Sequence, residues 1–210
     1  MAQIYLISPP EINNFDDFCL QLRLALKTGL VPVFQLRLKN HSYDSIKIIS
    51  KEIKKICDDN NCLFLLNDFY QIALEVGASG VHVGIDDQKI SKIREIAPKN
   101  FVIGASCYDS RHLAMEAGEQ GVDYISFGAF FETQTKVPRA KASPEIISWA
   151  NEMLNLPIVA IGGINAQNCK ILVENGVDFI AVISYIWQHK DGVETAIKNL
   201  QRQCSLNYSV

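Results

Sequence analysis

Apolar positions follow two alternating rhythms along the chain. Short runs rich in branched and aromatic side chains lie at residues 4–8, 33–38, 62–67, 80–83, 101–106, 124–127, 158–161 and 179–184. Each reads as a strand, and each is followed by a stretch with helical periodicity. In 15–28, 43–59, 110–119, 144–154 and 193–203, apolar residues recur every three or four positions with charges between them. That is the spacing of helices that bury one face. Strict alternation implies parallel strands joined by right-handed crossovers. Eight such units in 210 residues predict an α/β protein, a (β/α)8 TIM barrel, with residues 1–210 forming one catalytic domain. A doubly wound open sheet is the competing architecture. Gly29, Gly77, Gly80, Gly118, Gly121 and Gly176 fall at or just after predicted helix ends, where left-handed caps would turn the chain into the next strand.

Composition narrows the function classes. An apolar content of 48% is ample for one large core. The net charge of −3 comes with Lys and Arg scattered along the chain, which offers no basic stripe for a nucleic acid. The N-terminal residues lack a signal-like pattern, and nowhere do about 18 apolar residues run together. A cytoplasmic protein away from membranes is expected. The six cysteines have no C-x-x-C grouping, and a reducing compartment suits them. Four dispersed histidines provide no local zinc spacing. Any metal would be held mainly by oxygen.

The candidate chemistry sits at strand ends. In 33–39 the alternation puts Phe34, Leu36 and Leu38 on one face and Gln35, Arg37 and Lys39 on the other. With the apolar face against helices, the polar face points into the barrel, and its two cations call for an anion such as phosphate or diphosphate. A packing network with internal carboxylates is the alternative. The third strand ends in Asn67-Asp68 and the fourth is followed by Asp86-Asp87. Carboxylates at neighbouring strand ends suit magnesium, which takes one or two of them and completes its shell with water and phosphate oxygens; Asp86 or Asp87 could instead cap a helix beginning near Gln88. Ser106 is either a substrate contact or part of a helix cap. No G-x-S-x-G elbow surrounds it. His82 reads as a satisfied core histidine. Thr133, Thr135 and Lys136 open a long polar segment, 132–143, which could close over an anion or remain a solvated loop. Gly162-Gly163 after the seventh strand and Ile183-Ser184 at the eighth stand where barrels often bind phosphate through backbone N–H groups.

Taken in order, these segments resemble thiamine-phosphate synthases across essentially the whole chain. The carriers are Gln35-Leu36-Arg37-Leu38-Lys39, Asn67-Asp68, Gly80-Val81-His82-Val83-Gly84 with Asp87, Ile103-Gly104-Ala105-Ser106, Thr133-Gln134-Thr135-Lys136, Ile161-Gly162-Gly163-Ile164 and Val182-Ile183-Ser184. The resemblance implies a magnesium-dependent transferase. It would join hydroxymethylpyrimidine diphosphate to thiazole phosphate, forming thiamine phosphate and releasing diphosphate by a dissociative route. It further implies that Arg37, Lys39, Asn67 and Lys136 surround the diphosphate and that Asp68 and Asp87 bind magnesium. Ser106 would lie near the pyrimidine or the diphosphate, Thr133 and Thr135 near the substrate junction, and Gly163, Ile183 and Ser184 at the thiazole phosphate. A homodimer is a family expectation. Two positions depart from the family pattern: Ile85 stands where a glutamine is usual, and Leu38 where a glutamate often stands. The rival readings are a thiazole tautomerase-like paralogue, whose histidine base would fall at Tyr108, a non-catalytic phosphate-binding barrel, and an aldolase using Lys39 as a Schiff base.

Overall fold

Eight short apolar runs become eight parallel strands. They are β1 (Gln3–Ile7), β2 (Val33–Leu36), β3 (Leu63–Asn67), β4 (Gly80–Gly84), β5 (Val102–Tyr108), β6 (Tyr124–Phe127), β7 (Ile158–Ile161) and β8 (Phe179–Val182). In the computed structural model, which describes residues 1–84, 90–133 and 140–205, each strand pairs with its sequence neighbour and β8 closes on β1, so the sheet is a closed barrel. At the closing seam Tyr5 pairs with Ala181 on one side and Val33 on the other. Closure removes sheet edges and discards the open doubly wound alternative.

The helices predicted from periodicity form as α1 (Phe15–Lys27), α2 (Tyr43–Asp58), α5 (Arg111–Glu119), α6 (Glu145–Met153) and α9 (Val193–Ser205). Between them lie the shorter α3 (Tyr70–Val76), α4 (Ile90–Ile96), α7 (Lys170–Glu174) and α8 (Ser184–Trp187). Local chemistry sets several starts. Asn14 Oδ1 accepts from Asp17 N, Ser42 Oγ from Ser45 N and Ser110 Oγ from Leu113 N, each at 3.1–3.2 Å. Each bond satisfies an amide that the first helical turn leaves unpaired. Among the six glycines expected as caps, Gly29, Gly77, Gly121 and Gly176 have positive φ, whereas Gly80 opens β4 and Gly118 lies inside α5. Gly80 is there for space, because a Cβ would run into the Val102 backbone of β5.

The pleat divides each strand between two cores. Outward-facing Phe34, Leu36, Phe64, Leu66, Val81 and Val83 pack against helices, including Ile46, Ile53 and Ile56 of α2. Tyr5, Ile7, Val33, Leu65, Tyr124, Val159 and Ala181 fill the barrel interior. Full burial of one such branched or aromatic side chain stabilises by about 1.5–3 kcal/mol. At the amino end of the strands, Asp123 Oδ2 accepts from Ile103 N at 2.6 Å and from Arg94 at 2.6 Å, while Asp178 Oδ2 accepts from Ile158 N at 2.7 Å. These carboxylates stitch strand starts together, so that end of the barrel is built for stability and the opposite end is left for binding. Among the described residues, no helix is long and apolar enough to cross a membrane.

Candidate active site

The carboxyl ends of the strands surround a cavity of about 910 Å³. Its β2–β6 wall is made of side chains: Gln35, Arg37, Asn67, His82, Ser106 and Ser126. The β7–β8 wall contains Gly162, Gly163, Ile183 and Ser184. Thr133 borders the same space from the segment after β6. The structure thus brings Gln35, Arg37, Asn67, Ser106, Thr133, Gly163, Ile183 and Ser184 together at one mouth.

Lys39 is the exception on β2. Gln35 is only 2% exposed and Arg37 is half-buried at the cavity, but Lys39 is exposed and outside its lining. The cause is the length of the strand: β2 pairing with β3 ends at Leu36, and the chain bends at residues 39–41. The alternation persists through Arg37 and Leu38 and is lost only where the chain bends. Leu38 is buried in the outer core, as its place on the apolar face required. Ser8 steadies the arginine, because its Oγ accepts from Arg37 N at 2.9 Å. Burial pulls the Arg37 guanidinium below its usual pKa, and the charge of Asp68 opposes that shift.

Asp68 follows Asn67 at the end of β3 without joining the cavity lining. Its backbone is left-handed, with φ of 67°, a conformation that costs a non-glycine residue roughly 1–2 kcal/mol. The turn is tied to β4, since Asp68 N donates to His82 O at 2.9 Å. Its Oδ2 accepts from Asn67 Nδ2 at 2.5 Å. A half-buried carboxylate beside the cavity fits what magnesium requires of a protein, namely few hard oxygen donors with the rest of its shell from water and substrate. Asp86, Asp87, Thr135, Lys136 and Ile85 lie outside the described residues.

Beneath the mouth, polar side chains form a continuous chain of hydrogen bonds that sequence reading did not find. Ser106 Oγ meets His82 Nε2 at 2.8 Å, His82 Nδ1 meets Tyr124 Oη at 2.8 Å, and Tyr124 Oη meets Tyr5 Oη at 2.8 Å. Tyr5 donates to Gln35 Oε1 at 2.9 Å, and Gln35 Nε2 donates to Asn67 Oδ1 at 2.7 Å. Both ring nitrogens of His82 are thus satisfied, in keeping with its reading as a core histidine. Burial, aided by the Arg37 charge, lowers its pKa to about 4. Burial also raises both tyrosines above their usual range, so each keeps its proton. Gly104 makes room for the Tyr124 ring, which would collide with a Cβ there. Tyr5 and Tyr124 sit in apolar strand runs 119 positions apart, and no local pattern pairs them.

The β7–β8 wall depends on backbone shape. Gly162 and Gly163 have φ of 108° and 64°, and a Cβ on Gly163 would meet the Glu132 carbonyl. Phe130 N and Phe131 N donate to Ile161 O and Gly162 O at 3.2 and 3.0 Å, which straps the post-β6 segment onto the glycines. Asn168 braces them from below: its Nδ2 donates to Gly163 O at 2.9 Å and its Oδ1 accepts from Asn165 N at 2.8 Å. Ser184 stands at the start of α8, so the predicted eighth strand ends two residues early. Tyr108, Glu132, His189 and Lys190 also line the cavity, and none of them was singled out as a binding residue from the sequence.

Comparison with known proteins shows the family. Residues 4–186 match the family model described as thiamine monophosphate synthase. A thiamine-phosphate synthase of Rhodospirillum centenum is 40% identical, covering 96% of this chain and 97% of the relative. One from Pelagibacter ubique is 42% identical over 89% of each chain. The solved thiamine phosphate pyrophosphorylase of Pyrococcus furiosus is 33% identical and superposes with a TM-score of 0.82, over 96% of this chain and 95% of that one. The chain belongs to the thiamine monophosphate synthase family.

Proposed function

We propose that this protein couples an aminopyrimidine methyl diphosphate to a thiazole phosphate, yielding thiamine phosphate and diphosphate. One observation carries the reading: a single cavity has a cationic, side-chain wall at β2–β3 and a glycine-formed wall at β7–β8, with Arg37 and Gly163 both lining it. Two phosphorylated substrates held in one space suit a coupling reaction better than a hydrolysis. Arg37 and Asn67 bind the leaving diphosphate through charge-assisted and amide hydrogen bonds. Lys136 and Asp87 take their roles beside diphosphate and cation from the family resemblance, as does Thr135 at the substrate junction, with Thr133 at the cavity edge. Lys39, exposed and outside the cavity lining, takes its role beside the diphosphate from the family resemblance alone. Gly163, Ile183 and Ser184 receive the thiazole phosphate.

Asp68, with Asp87, would hold magnesium, which when bound neutralises charge on the diphosphate. The chain's own share is electrostatic and positional. Arg37 stabilises the departing anion, the glycine wall fixes the acceptor, and Ile7, Ile161 and Ile183 among the lining residues exclude water. Ser106 and His82 do not act as a nucleophile and base. A general base works best with a pKa near the working pH, and burial holds His82 at about 4. Free cysteines, most of them buried, suit a cytoplasmic enzyme.

The test is direct. Purified protein mixed with both phosphorylated substrates and magnesium should release thiamine phosphate and diphosphate in equal amounts. Tautomerisation of a thiazole precursor, or trapping of Lys39 by borohydride, without thiamine phosphate would overturn the assignment.

A further inference from the structure

The chain from Asp68 to Ser106 can be followed proton by proton. A carboxylate only accepts, so Asn67 turns its NH2 group toward Asp68 and its carbonyl oxygen toward Gln35. Gln35 must then give its NH2 group to Asn67 and offer Oε1 to Tyr5. The only hydroxyl proton of Tyr5 is committed to Gln35, so its oxygen accepts from Tyr124. The Tyr124 proton is spent in turn, and its oxygen accepts from His82 Nδ1–H. His82 Nε2 is left as an acceptor, and the bond at 2.8 Å is filled by the Ser106 hydroxyl proton. Each step leaves one arrangement, because each hydroxyl has one proton and each amide one oxygen.

We infer that Asp68 sets the polarity of the whole relay, holding His82 as the Nδ1–H tautomer and turning the Ser106 proton inward, so that Ser106 shows the cavity only lone pairs. Ser106 is therefore a hydrogen-bond acceptor toward the ligand. It selects an N–H donor, and resting on the function proposed above, that donor is the exocyclic amine of the pyrimidine; an unprotonated diphosphate oxygen would face a second acceptor. His82, Tyr124, Tyr5 and Gln35 are positioning residues for this contact. The relay also joins the carboxylate assigned to the cation with the serine assigned to the base, through the barrel floor instead of the solvent.

The experiment is histidine-selective nitrogen NMR on the unliganded protein, with the His82 signals identified by their loss in His82→Gln. The wild type should show a protonated Nδ1 and an unprotonated Nε2. In Tyr5→Phe the acceptor for Tyr124 is gone, so Tyr124 should donate to Nδ1 and the ring should shift to the Nε2–H tautomer; Gln35→Leu, which removes the acceptor for Tyr5, should do the same if Tyr5→Phe does not fold. An Nε2–H wild type, or a variant ring that stays Nδ1–H, overturns the polarity. The ligand half is read by calorimetry with the aminopyrimidine diphosphate and its analogue lacking the amine. Ser106→Ala should weaken the amine compound about tenfold, the effect of one hydrogen bond, and leave the analogue unchanged. Equal weakening of both overturns the amine contact. Failure of both compounds to bind the wild type overturns the pyrimidine assignment, while the histidine spectrum still decides the polarity.

Discussion

The two walls of the cavity are built by different means. On β2–β5 the groups facing the cavity are side chains, and Gln35, Asn67, His82 and Ser106 among them are held by a relay in which each member depends on the next. On β7–β8 the shape is backbone, made by two left-handed glycines and braced by Asn168 and the post-β6 strap. A side-chain wall can be specific about proton positions, because hydroxyls, amides and a histidine each have a donor end and an acceptor end. A backbone wall offers shape and close approach, which suits a phosphate recognised by its size and charge. Under the proposed function, the side-chain wall orients the base and its leaving diphosphate, and the backbone wall holds the second phosphate.

Four measurements test whether the two walls act separately. The largest effect is expected from Arg37→Ala. Removing a preorganised charge from the leaving group should lower kcat by about 10²–10³-fold, the range found when such a donor is lost, while the KM for thiazole phosphate changes little; steady-state kinetics with each substrate varied in turn checks it. Equal damage to both parameters would mean that the walls are not separable.

The second prediction concerns acid. His82 has a folded pKa of about 4, lowered from an ordinary value of 6.5. The unfolded chain therefore takes up a proton between these values and the folded one does not, so stability is full above about pH 6.5 and declines as pH falls toward 4. The loss should approach about 3 kcal/mol by urea unfolding of the unliganded protein. In His82→Gln that part of the slope should vanish.

Gly163→Ala comes third. A Cβ at positive φ adds backbone strain and presses on the Glu132 carbonyl, so a stability loss of about 2 kcal/mol is expected. It should be accompanied by a raised KM for thiazole phosphate and an unchanged affinity for the pyrimidine diphosphate. The smallest effect should come from Asn168→Ala, which removes the brace beneath Gly163 at about 1 kcal/mol. Thermal unfolding would register it, and a shift in pyrimidine binding instead would contradict the division between walls.

Much of this molecule was legible because it is local. Strand and helix periods are properties of about ten neighbouring residues, and they yielded the alternation, the barrel and the strand ends where Gln35, Arg37, Asn67, Ser106, Gly163 and Ser184 meet. Gln35 faces inward by the pleat of β2, and Arg37, one residue past the strand, keeps to the same side. What period two could not reveal was where the strand stops, and Lys39 lies three residues past that end, where the chain has already bent away. The relay was beyond sequence for a related reason. Tyr5 lies in an apolar run and Tyr124 opens another, and a tyrosine there is as readily a core filler as a hydrogen-bonding link.

Residue order settles which side-chain types are available, at which strand ends, and on which face of each strand. Tertiary structure alone decided partnership. Tyr5 meets Tyr124 across the barrel because closure of β8 on β1 brings the strands around a common interior, and Ser106 acquires its orientation from a carboxylate six hydrogen bonds away. Periodicity is set by bonds along the chain, whereas the direction of a proton is set by whichever acceptor the folded barrel places opposite it.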